Sequence, residues 1–189
     1  MTKPLLIGLT GYAGSGKDTV REILERHHEI DGLAFADPIR DMLSALFDTI
    51  GVDSGWMTDR GRKEVPIPEI GASYRTLAQQ LGTEWGRAID PDLWLKIAGA
   101  KAAMYQKYDS KGVVISDVRF PNEAAWIKAQ GGVIWKIIRP GVEPVRAHAS
   151  EDLIASLPYD YVIDNSGSIG RLKHAVGVAL EYGVEVEHA

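Results

Sequence analysis

Apolar positions along the chain fall into short unbroken runs separated by stretches of helical spacing. Leu5 to Leu9 is one such run, bounded by Pro4 and by glycines, as a parallel strand covered on both faces requires. Val20, Ile23 and Leu24 follow at helical intervals. Asp37-Pro38 sets a capping oxygen before a residue suited to the first helical position, with Ile39, Met42, Leu43 and Leu46 as the apolar stripe. Ser73 is expected to cap a third helix, with Leu77, Ala78 and Leu81 inward. Asp90-Pro91 repeats the cap-plus-proline signal before Leu93, Trp94, Ile97 and Ala98.

The second half repeats the alternation. Val113 to Ile115 is a buried-strand run, Pro121 opens a helix that stops at Gly131-Gly132, and Val133 to Ile138 is a third strand. Tyr161 to Ile163 gives a fourth, and Ser168 is expected to cap a last helix carrying Ile169, Leu172, Val176 and Leu180. Strands alternating with helices require βαβ crossovers, so the fold class expected is α/β: three layers, helix on sheet on helix, around a central parallel sheet. Residues 51–72, rich in Gly, Pro and charge, are expected to be an irregular insertion, and residues 183–189 a frayed tail.

A chain of 189 residues, 45% of them hydrophobic, can bury one sizeable core, so a single domain over residues 1–189 with insertions is expected. The formal net charge of -5 argues against a protein that holds a nucleic acid polymer, which dense Lys and Arg patches would serve. The lack of cysteine removes disulfides, thiolate metal sites and thiol nucleophiles. No run approaches the about 18 apolar residues that span a bilayer. The N-terminal run has no small-residue cleavage site and ends in glycines, so a protein without a membrane partner, in the cytoplasm, is expected.

Gly11-Tyr12-Ala13-Gly14-Ser15-Gly16-Lys17 fits the GxxxxGK pattern between a predicted strand and a predicted helix. Glycines are needed there because backbone N–H groups must turn inward around phosphate oxygens. Lys17 adds a point charge, and the following helix adds its dipole and free N–H groups. Gly11, Ala13, Gly14, Ser15, Gly16 and Lys17 are therefore the candidate phosphate cradle. The position after the lysine, usually Ser or Thr, is Asp18, with Thr19 next, similar to the GKGT form of nucleoside monophosphate kinases. That likeness gives Thr19 the phosphate contact and leaves Asp18 open: a holder of hydrated Mg²⁺ or a complement to the helix dipole.

The run Val113 to Ser116 delivers Asp117 to the carboxyl end of a parallel strand, where open α/β sheets bind ligands. A carboxylate there suits Mg²⁺ bridging nucleotide phosphates, and it equally suits a helix cap or a partner for Arg119. Arg119 would project to the side of Asp117 if the strand continued.

Taken in order, GYAGSGKDT, FADPIRDML, SYRTLAQQLGTEWGR with DPDLW, VVISDVRFPNEA and HASED resemble the bacteriophage deoxynucleoside monophosphate kinase family from about Leu5 to Leu180. The resemblance implies an adenylate-kinase-like P-loop NTPase fold, Mg-ATP as donor and a deoxynucleoside monophosphate as acceptor, in the host cytoplasm if the gene is a phage's. It also implies a helical acceptor-binding insertion at about 37–90 and a short lid at about 139–151. Whether a homodimer forms is left open. YDYVIDNSGSIGRL looks like the last strand and loop of dephospho-coenzyme A kinases, where the loop packs against adenine, which points to Asn165, Ser166 and Gly167; a turn and helix cap is the alternative.

Donor and acceptor phosphates together carry about five or six negative charges, so several cations must surround them. Arg40, Arg75, Arg87 and Arg119 are the acceptor candidates with Asp37 and Glu84, and Arg139 and Arg146 are the lid candidates, with His148 a weaker one. Trp85 is either a stacking surface for the acceptor base or a core residue; Trp94 is expected in the core. The catalytic set expected is Lys17, Asp117, Arg119, Arg139 and Arg146. Composition and spacing alone stop at an ATP-dependent phosphotransferase; the rival readings are another small-molecule kinase on the same fold, acting on phosphomevalonate or dephospho-coenzyme A, and a P-loop module that transfers nothing.

Overall fold

The computed structural model of the protein describes residues 5–108, 110–142 and 149–182. Of the expected lid, residues 143–148 lie outside the described residues, Arg146 and His148 among them, as does the 183–189 tail. Contacts within the chain cluster into two compact units, Met1–Ala34 with Ala98–Ala189, and Phe35–Ile97.

The first unit is built on five strands, β1 (Leu5–Thr10), β2 (Ile30–Leu33), β3 (Gly112–Ile115), β4 (Val133–Ile138) and β5 (Tyr161–Asp164). All described pairings are parallel, in the order β2-β3-β1-β4-β5. Helices α1 (Lys17–His28), α7 (Pro121–Ala129), α8 (Ala149–Ser156) and α9 (Ile169–Tyr182) belong to the same unit. Continuous apolar runs make the strands central: Ile7, Leu9, Val114, Trp135 and Ile137 are fully or almost fully buried with Val20 and Leu24 of α1 and Leu172 and Val176 of α9. Burying each such side chain contributes about 1.5–3 kcal/mol before entropy is counted.

The strand order fixes where chemistry can occur. From β1 the chain visits β2 and β3 on one side, then β4 and β5 on the other, so β1 lies at the switch point of the sheet. Crevices at such points, outside the carboxyl ends of the strands, are where open α/β sheets bind ligands. The β2 strand, Ile-Asp-Gly-Leu, and α8 were not expected from the sequence pattern; both are short, and neither carries a continuous apolar run.

The second unit holds α2 (Asp37–Ile50), α3 (Gly55–Thr58), α4 (Tyr74–Gln79), a π-helical segment (Gln80–Gly86) and α5 (Arg87–Ile89). Helix α6 (Leu93–Lys107) starts in it. Ile39, Leu43 and Phe47 are the buried face of α2. Ser73 caps α4 as expected, its hydroxyl accepting from Thr76 N–H at 3.1 Å. Asp37 does not cap α2: Ala36 is the N-cap, and Asp37 is already helical, with its carboxylate 2.8 Å from the Arg40 guanidinium. A side chain one residue inside the helix faces its i+3 neighbour rather than the open N–H groups. At the start of α6, the Lys96 ammonium and then the Asp92 N–H hold the Asp90 carboxyl below the usual carboxylate range.

One polar tie closes the β4–β5 side. Asp160 accepts from Ile134 N–H at 2.7 Å and from the Lys128 ammonium at 2.7 Å, and its own N–H donates to Ile134 C=O at 2.7 Å. The carboxylate is mostly sheltered, so its loss strands a backbone donor. Asp160→Ala is expected to lower the unfolding free energy by about 1–3 kcal/mol, seen as a lower urea midpoint at unchanged slope. An unshifted midpoint would contradict the role given to this tie.

Candidate active site

The chain leaves β1 at Thr10 and turns at once. Gly11, Gly14 and Gly16 have φ of 143°, 85° and 105°. At Gly11 the turn is also a close approach, because a Cβ there would collide with the Ile137 carbonyl of β4 and sit 2.9 Å from Ser15 Oγ. Only glycine meets both conditions. Ser15 N–H donates to Tyr12 C=O at 3.1 Å, and α1 begins at Lys17 with Gly16 as a left-handed N-cap. The first-turn N–H groups of α1 have no acceptor within the helix and face the loop with the positive end of its dipole.

Lys17 is 9% exposed, and its ammonium donates to Gly11 C=O at 2.6 Å and Tyr12 C=O at 2.9 Å. The loop thus wraps its own cation. Ser15 Oγ and Thr10 Oγ1 are buried without a hydrogen-bond partner. Unmet buried hydroxyls cost about 1–3 kcal/mol each, and Ser15 lies inside the turn, where a phosphate oxygen would satisfy it. Glycine backbone, buried cation and unmet hydroxyl together fit a polyphosphate. Ala13 and Asp18 are exposed and Thr19 is half-buried.

Asp117 follows β3 on a turn pinned at both ends: Ser116 N–H donates to Leu33 C=O at 3.0 Å and Val118 N–H to Leu9 C=O at 3.1 Å. The second bond sets Asp117 at the carboxyl end of the sheet next to the exit of β1. The strand has ended by then, so alternation does not govern Arg119. Helix capping here falls to Glu123, whose buried carboxylate accepts from Arg119 N–H at 2.8 Å and Phe120 N–H at 3.0 Å. Pro121 at the first helical position with Glu123 two residues on was the available signal. Among the described residues no cluster of three or more His, Asp or Glu could hold a metal ion. A half-buried carboxylate at this place fits a cation whose remaining ligands are phosphate oxygens and water, as Mg²⁺ prefers.

Asn165, after β5, reaches the loop across 150 residues of sequence: its Nδ2–H donates to Ser15 C=O at 2.9 Å, and its N–H donates to Ile138 C=O at 2.8 Å. Ser166 N–H closes a turn on Asp164 at 2.8 Å, and Ser166 and Gly167 are exposed. Gly11, Tyr12, Ser15, Lys136 and Arg139 help line a cavity of about 120 Å³ beside the loop. Sequence reasoning missed Lys136; its signal was one lysine inside the apolar run of β4, where its ammonium lies 4.9 Å from the Tyr159 ring centroid.

The other unit holds six of the expected acceptor residues, Asp37, Arg40, Arg75, Glu84, Trp85 and Arg87. Arg40 pairs with Asp37 at 2.8 Å, and Arg75 pairs with Glu64. Arg87 reaches Pro91 C=O at 3.5 Å. Glu84 and Trp85 are exposed on the π-helical segment, which removes the reading of Trp85 as a core residue; Trp94 is the buried one, at 4%.

Comparison with known proteins gives this geometry a family. A sequence profile described as deoxynucleotide monophosphate kinase matches residues 61–176. The chain belongs to the deoxynucleotide monophosphate kinase family. A protein of Acanthamoeba polyphaga mimivirus, provisionally named a deoxynucleotide monophosphate kinase, is 35% identical over 176 residues, 87% of this chain and 90% of its own. In fold, this kinase is similar to TT1252 from Thermus thermophilus, with a TM-score of 0.56 at 18% identity, covering 95% and 98% of the two chains. It is also similar to a provisionally named kinase from Chloroflexus aurantiacus, with a TM-score of 0.52 at 14% identity, covering 97% and 99%. The architecture is thus the expected α/β fold with a central parallel sheet. No helix of the described residues is long and apolar enough to cross a membrane.

The Asn165 tie separates a structural role from a merely local one. Asn165→Ala is expected to lower the unfolding free energy of this kinase by about 0.5–1.5 kcal/mol, while Ser166→Ala, whose turn uses only backbone N–H, stays within about 0.5 kcal/mol of the parent. Equal denaturation midpoints for all three proteins would remove the tie from the account.

Proposed function

We infer that this kinase transfers the terminal phosphoryl group of ATP to deoxynucleoside 5'-monophosphates, giving diphosphates. The observation that carries the reading is the glycine loop at the switch point of the sheet, with Lys17 buried inside it. The loop lies outside the segment matched by the family profile, so it supports nucleotide chemistry on separate grounds.

Transfer between two phosphate oxygens needs little proton chemistry, because the acceptor phosphate is already largely ionised near neutral pH. Alignment and charge neutralisation therefore dominate. The amides of residues 13–19 surround the donor phosphates, Thr19 adds a hydroxyl, and Lys17 turns from the loop carbonyls to the transferring phosphoryl oxygens. Mg²⁺, when bound, would neutralise charge on the transferring phosphates. Asp117 is the residue that would hold it, with Asp18, exposed on the first turn of α1, the second candidate.

Arg139, on the cavity beside the loop, and Arg146 supply cations to the donor side. Asn165, Ser166 and Gly167 form the border of the donor base. Asp37, Arg40, Arg75, Arg87 and Arg119 recognise the acceptor's phosphate and sugar, and Glu84 with Trp85 its base. An exposed indole offers any nucleobase a π face, worth about 1–3 kcal/mol per stacked base. The family match includes Arg75, Glu84, Trp85 and Arg87, which supports this assignment.

An acceptor panel tests the proposal directly. With Mg-ATP, ADP release is expected with deoxynucleoside monophosphates and only at background with dephospho-coenzyme A, phosphomevalonate or no acceptor. Release independent of any acceptor would identify a hydrolysing module instead. Lys17→Ala is expected to reduce turnover by about 10²–10³-fold, as for removal of other preorganised charge donors, with an unchanged far-UV spectrum. Parent-like turnover in that variant would contradict the loop's role.

A further inference from the structure

The π-helical segment Gln80–Gly86 carries a feature that the phosphate chemistry does not explain. π-helical turns are rare and persist where something holds them, often at functional sites. Here α4 runs into seven π-helical residues, Gln-Leu-Gly-Thr-Glu-Trp-Gly, before α5 resumes. Such a segment is wider than an α-helix and loosens backbone packing, so it needs an external wedge.

The wedge is Trp94. Its Nε1–H donates to Gly82 C=O at 2.8 Å, and the residue is only 4% exposed. The indole also lies against Gly86, which is buried: a Cβ there would run into the ring, and Trp94 Nε1 would sit 3.0 Å from it. Two glycines four residues apart thus form the slot that one indole fills. Between them, Thr83, Glu84 and Trp85 are turned to solvent. Trp85 is 48% exposed, and its ring centroid is 6.4 Å from that of Trp94 with the planes tilted by 42°. A large aromatic facing water at that exposure costs apolar burial that the segment could recover in a different register. The Trp94–Gly82 bond and the Gly86 slot flank this exposed residue in sequence.

We propose that Trp94 and Gly86 are positioning residues that hold the π-helical turn open and thereby present Trp85 as the stacking surface for the acceptor nucleobase. The proposal rests on the acceptor role given to Trp85 above. It adds that the indole N–H of Trp94, which touches no substrate, sets affinity for the acceptor and not for ATP.

Trp94→Phe keeps an aromatic ring in the slot and removes the donor. The expected result is a KM for the deoxynucleoside monophosphate raised about fivefold, the loss of one hydrogen bond's worth of alignment, with KM for ATP within about twofold of the parent. In a Trp85→Ala background the same substitution should raise the acceptor KM no further, because the surface it positions is gone. Replacing Trp94 with benzothienylalanine, which keeps the bicyclic shape and puts sulfur in place of N–H, should reproduce the Trp94→Phe effect and stands in for it if the Phe variant does not fold. Full additivity with Trp85→Ala, an equal rise in both KM values, or a parent-like acceptor KM in the benzothienylalanine protein would each overturn the proposal. Parent protein that releases no ADP with any deoxynucleoside monophosphate defeats the functional reading itself, a result that none of the variant comparisons can mimic.

Discussion

A lysine ammonium held on the carbonyls of its own loop is the interaction on which the rest of the site depends. Lys17 bonds Gly11 C=O and Tyr12 C=O while nearly buried. A cation so placed would be costly without these acceptors. The backbone carbonyls that satisfy it are weaker partners than phosphate oxygens. Charge is therefore stored where a polyphosphate can claim it, and the sheet supplies the rigidity: the Ile137 carbonyl presses on Gly11 from β4, and Asn165 grips Ser15 from beyond β5.

That arrangement links the strand order to the chemistry. Because β1 is flanked by β3 and β4, its exit lies beside the turn that carries Asp117 and beside Arg139 at the end of β4. Glu123 fixes the first of these by bonding two backbone N–H groups, with no substrate contact of its own required. Glu123 and Asn165, which hold backbone in place, are thus distinct from the residues proposed for the chemistry. The same division recurs in the Phe35–Ile97 unit, where a buried tryptophan and a glycine set the direction of an exposed tryptophan.

What the sequence disclosed follows the range of the interactions involved. Strands β1 and β3 were legible because a strand buried on both faces needs an apolar run, and β4 and β5 because apolar residues still dominate theirs, although Lys136 interrupts β4 and Val162 of β5 is exposed. β2 was not, since Asp31 and Gly32 interrupt four residues that pair only through β3. The glycine loop was legible as a local pattern whose spacing has a physical cause. Asn165 was placed near the donor from family likeness, but its bond to Ser15 joins positions that no local pattern connects. The cap at Asp37 failed by one residue, a shift that a proline signal does not resolve. The π-helical turn was invisible because its seven residues include two glycines, and their packing against Trp94 is a tertiary effect.

The central claim is that the glycine loop and Lys17 receive the donor's phosphates, and a crystal structure with a non-hydrolysable ATP analogue and Mg²⁺ tests it most directly. The account predicts phosphate oxygens within hydrogen-bond reach of the amide groups of residues 13–19, with Lys17 Nζ moved from the Gly11 and Tyr12 carbonyls onto a phosphate. An analogue seated elsewhere, with Lys17 still bonded to both carbonyls, would contradict it.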